Sequence, residues 1–220
     1  MSKSTAAKGP TCSAYLIRHG ATEANLAQPP ILQGRSIDGP LSLPGRQQAE
    51  AAALCLHEEP IAAVYCSPLK RAVETAQIVA APHKSPIHIH EELTEVDVGA
   101  WERRSWVEIA QTEPDAYRAF QRDPSAHGYP AGENLQQVFD RVNPVLRRIL
   151  AKHAGETIVV IGHNVVNRVF LAAALALPLS QARTIVQHNC GINLLHSSQD
   201  KLSVVTLNSV FHLRALTQSV

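Results

Sequence analysis

The sequence lacks the features that would mark it for a membrane, a nucleic acid or a disulfide framework. Only 18% of its 220 residues are charged and the formal net charge is +1, so no overall attraction to nucleic acid or to an anionic membrane surface is expected. No apolar run is long enough to span a bilayer, and no secretory apolar segment follows the polar residues 1–11. These absences favour a cytoplasmic protein without a nucleic-acid or membrane partner.

Cysteine is also scarce. The four cysteines include no C-x-x-C pair and are scattered along the chain, at Cys12, Cys55, Cys66 and Cys190. This pattern favours free, mostly buried thiols over a disulfide frame or a zinc site. The 45% hydrophobic content suits one globular domain, and no linker-like change of composition divides the chain. We therefore predict a flexible tail over 1–12 and a single domain over 13–220.

What the sequence does contain is an alternation of short apolar runs and helical patterns. Five strands are predicted, over 14–17, 61–66, 157–162, 192–195 and 202–207. A polar turn at 198–200 is expected to join the last two. Four helices are predicted, the third with Pro144 as a candidate kink, over 45–56, 69–80, 134–153 and 165–177. This order indicates an α/β protein, a three-layer α/β/α sandwich around a mainly parallel central sheet.

Polar residues follow three of these strands at the point where each strand ends. The segments concerned are 18–20, 67–71 and 163–164. Because ligands of open α/β sheets bind at the carboxyl ends of the strands, these segments are expected to meet at one edge. That edge receives two arginines and two histidines, namely Arg18, Arg71, His19 and His163.

These side chains suit phosphoryl transfer. The guanidinium groups of Arg18 and Arg71 stay charged and match two phosphoryl oxygens. A neutral imidazole such as that of His19 can attack phosphorus and form a phosphohistidine, and nearby arginines favour its neutral form. Gly20 would let the chain turn sharply beside the nucleophile. Each residue alone has a plainer interpretation, as a solvated charge or a buried histidine, so their joint placement carries the prediction.

Two interpretations from other classes stay open at this point. A metal site is one, because His88 and His90 alternate on a candidate strand, although no third ligand stands at a recognisable spacing. The other is an inert module that keeps the fold and binds a phosphorylated ligand. Sensitivity to a chelator tests the first, and turnover tests the second.

Five ordered motifs carry a resemblance to a known family. They read LIRHGATEAN at 16–25, YCSPLKRAVETA at 65–76, LTEVDVGAWE at 93–102, GEN at 132–134 and VVIGH at 159–163. In order and spacing the chain resembles the histidine phosphatase superfamily, also called the phosphoglycerate mutase-like family, over roughly 13–207. The resemblance implies a phosphoglycerate mutase-like fold and a phosphatase or mutase acting on a small phosphorylated metabolite.

The resemblance also implies residue roles. His19 resembles the nucleophile that is phosphorylated, and Arg18, Arg71 and His163 the rest of the phosphate pocket. His163 would be most useful protonated, since it would then stabilise the charge that builds on the transferring group. Glu95 resembles the proton donor to the leaving alkoxide, later able to activate water. No metal or cofactor is implied.

Substrate contacts are expected beside that pocket. Asn25 resembles a further phosphate or substrate contact, and Asn164 is expected to bind substrate. The chain departs from the common family pattern at Asn164-Val165, where small residues are usual, at Arg103-Arg104, and at Val98. These departures are expected on the leaving-group side, where they concern substrate identity and not reaction class.

Further predictions concern the same side of the pocket. The segment 101–131, rich in Pro, Asp and Ala from Arg104 to Pro130, is expected to form a lid or cap. A polar pair, His188 and Asn189, is a candidate pocket lining, although a self-satisfied turn explains it equally well. Arg103 and Arg104 are candidate residues for binding a carboxylate of the substrate. Arg168 is a candidate partner of Glu133.

Hydrolysis is favoured over mutase chemistry, which stays the alternative. The segment around Glu95 lacks the Asn-Glu-Arg run that marks the glycolytic mutases, and the segment after Arg104 is shorter than theirs. Phosphorylated sugars, three-carbon phosphoacids, phosphoserine and nucleotide-loop precursors are all candidate substrates. A homodimer is one candidate assembly.

Overall fold

One six-stranded sheet organises the protein. The computed structural model describes residues 9–199 and 201–217, and its strands are β1 (Cys12–Arg18), β2 (Ile61–Cys66), β3 (Ile87–Ile89), β4 (Thr157–Gly162), β5 (Ile192–Ser198) and β6 (Lys201–Ser209). The strand order is β3-β2-β4-β1-β5-β6. The first four strands in that order are parallel, and β5 and β6 add antiparallel pairings at one edge. The predicted mainly parallel sheet is confirmed.

Helices connect the strands and cover the sheet. The α-helices are α1 (Glu23–Leu26), α2 (Leu43–Leu56), α3 (Lys70–Ala80), α4 (Trp106–Thr112), α5 (Pro114–Arg122), α6 (Leu135–Lys152), α7 (Asn164–Ala174) and α8 (Arg214–Thr217). Short 3-10 helices span Glu91–Leu93, Gly99–Trp101, Leu179–Thr184 and Phe211–Leu213.

Both faces of the sheet are buried, as the near-continuous apolar strands require. In β4, Ile158 and Val160 pack into a core with α6 and α7. The intervening Val159 and Ile161 pack into a second core with α2 and α3. Because successive side chains of a strand point to opposite faces, this alternation places helices on both sides of the sheet. The three-layer α/β/α class is confirmed.

Several boundaries differ from the predicted ones. Strand β1 begins at Cys12, two residues before the predicted strand. Cys12 is the last residue of the predicted flexible tail, and residues 1–8 of that tail lie outside the described residues. Helix α7 ends at Ala174 and not at residue 177, since Ala176 adopts a φ of 56° that a helix does not allow. Helix α6 continues through Pro144 as one helix. In the predicted turn at 198–200, Ser198 belongs to β5 and residue 200 lies outside the described residues.

Two helices were not anticipated in the lid segment. Helix α4 begins after Ser105, whose hydroxyl accepts from the Glu108 N–H, and α5 begins with Pro114, a residue suited to the first helical turn. Their inner faces pack into a cluster of four aromatic rings: Trp101, Trp106, Phe120 and Tyr129. The segment is therefore a packed helical hairpin and not an irregular loop.

The four cysteine thiols are free, three of them buried and only Cys55 exposed. Burial raises the pKa of the Cys12 and Cys66 thiols to about 11 and that of Cys190 to about 12. These three behave as small apolar core residues. Over residues 9–199 and 201–217, no helix combines the length and apolarity that crossing a membrane requires.

Candidate active site

The sheet order explains why three distant segments meet. Strands β2, β4 and β1 are neighbours, and their carboxyl ends lead into Ser67, His163 and His19 respectively. The backbone N–H of His19 donates to the Gly162 carbonyl of β4 (3.0 Å). The rings of His19 and His163 lie with centroids 5.1 Å apart. The predicted convergence of the strand ends is thus present in the structure.

The ring of His19 is held in one tautomer. Its Nδ1 lies 2.7 Å from the Gly20 carbonyl oxygen, which can only accept, so Nδ1 carries the proton and Nε2 keeps a free electron pair. Burial, with the charges of Arg71 and Arg18, lowers the pKa of His19 well below the usual value for histidine. The imidazole is therefore neutral and has an unprotonated Nε2 over a wide pH range.

Gly20 is needed for a close approach. A Cβ at this position would collide with the Gly45 carbonyl oxygen in the first turn of α2. The Gly20 N–H donates to the Thr75 hydroxyl (3.1 Å) on α3. Its φ is not in the left-handed region, so tight packing between β1 and α2, rather than a sharp turn, is the reason for glycine beside His19.

Two arginines stand beside His19 with their orientations set by backbone carbonyls. Arg18 donates through Nη1 to the Gln187 carbonyl (2.8 Å), and the fully buried Arg71 donates to the carbonyls of Ile37 (2.8 Å) and Gly34 (3.0 Å). In each, the buried Nε has no hydrogen-bond partner among the described residues. Burial lowers the pKa of Arg18 to about 10, which still leaves it charged at neutral pH. The site thus offers buried cationic donors suited to an oxyanion.

His163 caps the start of α7 and is fully buried. Its Nε2 lies 2.6 Å from the Ser67 hydroxyl, while its buried Nδ1 has no partner within the described part of the chain. Burial, followed by the charges of Arg71 and His19, lowers its pKa well below the usual range. The unliganded site therefore favours neutral His163, because a third cation beside two arginines is unfavourable, and its protonation during phosphoryl transfer stays a prediction.

Glu95 is the carboxylate of the site and is only 4% exposed. Its Oε1 accepts from the Val96 N–H (2.9 Å) and its Oε2 from the Val165 N–H (3.3 Å), in the first turn of α7. Arg141 on α6 holds the preceding loop by donating to the Thr94 (2.7 Å) and Glu95 (3.2 Å) carbonyls. These contacts hold the carboxyl group in the wall of the cavity that His19 also lines.

These groups border one cavity of about 290 Å³. Among the predicted residues, Arg18, His19 and Glu95 line it, as do the amides Asn25 and Asn164. Arg71 and His163 are not among the lining residues, but the charge of Arg71 lowers the pKa of both His19 and His163. The cavity is of a size that takes a small metabolite.

Comparison with known proteins agrees with this geometry. The sequence model of the histidine phosphatase superfamily (branch 1) matches residues 14–210. The chain belongs to this superfamily. A metal-independent phosphoserine phosphatase from Arabidopsis thaliana is 36% identical over 208 residues, which cover 91% of this chain and 83% of that protein. The resemblance seen in the sequence is confirmed, and the chain is a phosphoric monoester hydrolase.

Solved structures share the fold. Bacillus stearothermophilus YhfR superposes with a TM-score of 0.85 at 30% identity, covering 92% of this chain and all of that one. A phosphoserine phosphatase from Entamoeba histolytica, solved in complex with 3-phosphoglyceric acid, gives a TM-score of 0.82 at 25% identity, covering 92% of this chain and 99% of that chain. This histidine phosphatase therefore has the phosphoglycerate mutase-like architecture.

Two of the three departures from the family pattern line the cavity, and their place on the leaving-group side stays a prediction. Val98, Asn164 and Val165 all line the cavity. Arg103 is exposed, and Arg104 forms ion pairs with Glu108 and Glu113 within the lid. The hypothesis that Arg103 and Arg104 bind a substrate carboxylate is wrong, because neither lines the cavity and Arg104 is already neutralised by carboxylates.

Two other pairings are resolved by the structure. Glu133 pairs with Arg141 (2.8 Å), and Arg168 instead donates through Nε to the Ile185 carbonyl (2.7 Å), so the predicted Arg168–Glu133 pair is wrong. Asn189 lines the cavity and its Nδ2 donates to the His19 carbonyl (2.9 Å). The adjacent His188 turns away and contacts Asn208 (2.7 Å).

The histidines of the metal hypothesis lie elsewhere. His88 and His90 pack against the ring of Tyr65, with centroids 5.0 and 5.6 Å away. No group of three or more His, Cys, Asp or Glu side chains suited to a metal occurs among the described residues. Tyr65 in turn contacts His153 (2.7 Å), so these histidines belong to a structural cluster on β2 and its neighbours.

Several residues of this histidine phosphatase site were not predicted from the sequence. Arg141, which holds the Glu95 loop, stands on the polar side of the predicted apolar stripe of α6, and its position gave no signal of a role. Arg183, Trp106 and Tyr129 line the cavity from the lid side. Gln33 lines it from the loop after α1 and accepts from the Thr22 hydroxyl (2.7 Å).

Proposed function

We propose that this protein hydrolyses a small phosphomonoester through a phosphohistidine on His19. One observation carries the proposal: the His19 Nδ1–H donates to the Gly20 carbonyl (2.7 Å), so Nε2 has its electron pair free beside the buried Arg71 and the half-buried Arg18. A neutral, oriented imidazole among cationic donors is the arrangement that nucleophilic attack on a phosphate dianion requires.

The first step transfers the phosphoryl group to the protein. Nε2 of His19 attacks phosphorus, and the bond between phosphorus and the ester oxygen breaks. The leaving oxygen takes a proton from the Glu95 carboxyl group, so an alcohol and not an alkoxide departs. Arg18 and Arg71 stabilise the charge spread over the phosphoryl oxygens.

The second step returns the site to its starting state. Water attacks phosphorus while the Glu95 carboxylate accepts its proton, and the Nε2–phosphorus bond breaks. Inorganic phosphate leaves, His19 is neutral again and Glu95 is again protonated. The Nδ1 of His163, paired through Nε2 with Ser67, supplies a further donor once the phosphate is bound. The chain's own cationic side chains supply the charge neutralisation that metal ions give in other phosphoryl transfers.

The relatives support phosphatase activity on a small phosphorylated substrate. Both a metal-independent phosphatase and a phosphoserine phosphatase solved with 3-phosphoglyceric acid resemble this chain. We therefore propose water as the acceptor of the phosphoryl group. Mutase activity is assayed in parallel with 2- and 3-phosphoglycerate. Phosphate release without isomerisation is the expected result.

The decisive experiment follows phosphate release from p-nitrophenyl phosphate in buffer that contains a chelator. His19→Ala is expected to abolish release, whereas His57→Ala, at an exposed position at the end of α2, serves as the matched control. Glu95→Gln is expected to accumulate acid-labile phosphohistidine, because the aryl leaving group needs no proton donor but the attacking water still needs a base. Full activity of His19→Ala would contradict the proposal.

A further inference from the structure

The charge on the cavity wall exceeds what one phosphate group requires. Three arginines line the cavity, namely Arg18, Arg168 and Arg183, against a single carboxylate, Glu95. A phosphate dianion beside His19 is balanced by Arg18 and by Arg71 behind it. Arg168 and Arg183 then remain as two cations without a counter-charge, in a protein whose formal net charge is only +1.

Arg168 is oriented toward the cavity by its own helix. It stands one turn after Asn164 on α7, so both residues lie on the same face of that helix. Its Nε donates to the Ile185 carbonyl (2.7 Å), which fixes the guanidinium plane. Over the described residues its terminal nitrogens have no hydrogen-bond partner and it forms no ion pair.

Arg183 is oriented by the lid. It lies in the 3-10 helix Leu179–Thr184, and its guanidinium carbon stands 5.1 Å from the Trp106 ring centroid and 5.0 Å from that of Phe120. Its Nη1 donates to the Gln121 side chain (2.6 Å). A guanidinium stacked on aromatic rings keeps its in-plane N–H groups available for an anion.

The two cations are close enough to act on each other. Burial, together with the charge of Arg183, lowers the pKa of Arg168, while Glu95 and Tyr129 act in the opposite direction. No ion pair to a carboxylate relieves this repulsion in the described part of the chain. The buried Tyr129 also lines the cavity and lies within electrostatic reach of both arginines. Two like charges held together in a half-buried wall are expected where a ligand supplies the opposite charge.

We propose that Arg168 and Arg183 form a second anion subsite, which binds a carboxylate on the leaving group of the substrate. The inference rests on the proposed phosphomonoesterase activity and narrows its substrate class to small phosphorylated hydroxy acids. The cavity of about 290 Å³ has room for a small phosphorylated acid. Glu95 lines the same cavity, where it would give its proton to the ester oxygen of such a substrate.

The test uses two substrates that differ only in the carboxylate, 3-phosphoglycerate and glycerol 3-phosphate. The wild-type protein is expected to prefer the carboxylate ester by at least about tenfold in kcat/KM, since a paired charged group favours the substrate that satisfies it. Arg183→Met keeps the packing on Trp106 and Phe120, and Arg168→Gln keeps a donor. Each is expected to lower kcat/KM for 3-phosphoglycerate by about 10- to 100-fold, mainly through KM, and that for glycerol 3-phosphate far less.

Controls separate this inference from the proposed function. Arg122→Met, at an exposed position at the end of α5, is expected to leave the ratio of the two kcat/KM values unchanged. Calorimetric binding of both esters in a His19→Ala background tests the subsite without turnover, so a protein that hydrolysed neither ester would still reveal it. The subsite would be overturned by equal losses of kcat/KM on both esters, or by equal affinities of the His19→Ala protein for them. Either result would leave the hydrolase proposal standing.

Discussion

The two ends of the cavity are built in different ways. At the phosphate end, defined by Arg18, His19, Arg71 and His163, each residue follows or faces a strand end and is held by hydrogen bonds to buried groups. At the leaving-group end, defined by Trp106, Tyr129, Arg168 and Arg183, the groups come from two helices, a 3-10 segment and the loop between α5 and α6.

This difference separates chemistry from selectivity. A group anchored to the sheet core cannot shift without disturbing many contacts, so the phosphate end is rigid and serves any ester. The leaving-group end depends on one aromatic cluster and a few side chains, which can change while the sheet stays intact. Changes at the first end should therefore lower turnover of every ester alike, and changes at the second should affect esters unequally.

The largest effect is expected from Arg71→Met. Losing this buried cation should lower kcat/KM by about 10³-fold, since one donor to a developing oxyanion contributes on that order. The loss should be the same within about threefold for p-nitrophenyl phosphate, glycerol 3-phosphate and 3-phosphoglycerate. Arg148→Met, at an exposed position on α6, provides the control. A loss confined to the carboxylate ester would remove the distinction between the two ends.

The next effect concerns the aromatic cluster of the lid. Phe120 is fully buried, with ring centroids of Tyr129 and Trp106 at 4.6 and 5.4 Å. Phe120→Ala should lower the free energy of unfolding by about 3 kcal/mol, because it leaves a cavity among aromatic rings. Urea denaturation measures it, with the exposed Val107→Ala as control.

Phe120→Ala also tests whether the two ends of the cavity affect activity differently. Phe120 supports the Arg183 guanidinium, so turnover of 3-phosphoglycerate should fall more than that of p-nitrophenyl phosphate. An equal fall would mean that the lid also positions the phosphate end.

The phosphate end could be predicted from the sequence for a physical reason. Arg18, His19 and His163 stand next to short apolar strands, and the parallel arrangement of such strands brings their carboxyl ends together. Local patterns thus sufficed to place them. Glu95 was recognised only by its family motif, since no strand precedes it and its position depends on Arg141.

The leaving-group end could not be predicted in this way. Helices α4 and α5 are only 7 and 9 residues long, too short for a periodic pattern to stand out. Arg183 reaches the cavity because Trp106 and Phe120, more than 60 residues earlier, provide its stacking surface. Arg104 was a candidate ligand until its ion pairs within the lid were visible. Such contacts follow from tertiary packing, which local sequence does not encode.

Acid should destabilise the phosphate end in particular. His19 and His163 are buried and neutral with pKa values well below the ordinary 6.5. Below that pH the unfolded chain binds protons on both histidines and the folded protein does not, so stability falls as pH decreases from about 6.5. Each histidine should contribute a slope of about 1.4 kcal/mol per pH unit.

Denaturation between pH 6.5 and 5 measures this slope. His163→Gln should reduce it by about 1.4 kcal/mol per pH unit, whereas the exposed His57→Gln serves as control. Burial also lowers the pKa of His83, His88 and His212, so the change in slope on substitution, and not the total slope, reports on His163. An unchanged slope in the His163 variant would show that this ring is protonated in the folded protein.

The smallest effect is expected from Ser67→Ala, which removes the orienting partner of His163. The Ser67 hydroxyl oxygen accepts from the Leu69 N–H (3.4 Å) and lies 2.6 Å from Nε2 of His163, and we expect the hydroxyl to donate its proton to that nitrogen. The neutral ring then carries its proton on Nδ1, where it can donate to a bound phosphate. Without Ser67 neither tautomer is favoured, and kcat should fall about tenfold, or ~1.4 kcal/mol, with KM nearly unchanged. Ser85→Ala, which removes a hydroxyl bonded to the Ile61 carbonyl away from the cavity, is the matched control. Because Ser67 acts only through the phosphate end, the loss should be equal for 3-phosphoglycerate and glycerol 3-phosphate, and a change in their ratio would show that His163 also senses the leaving group.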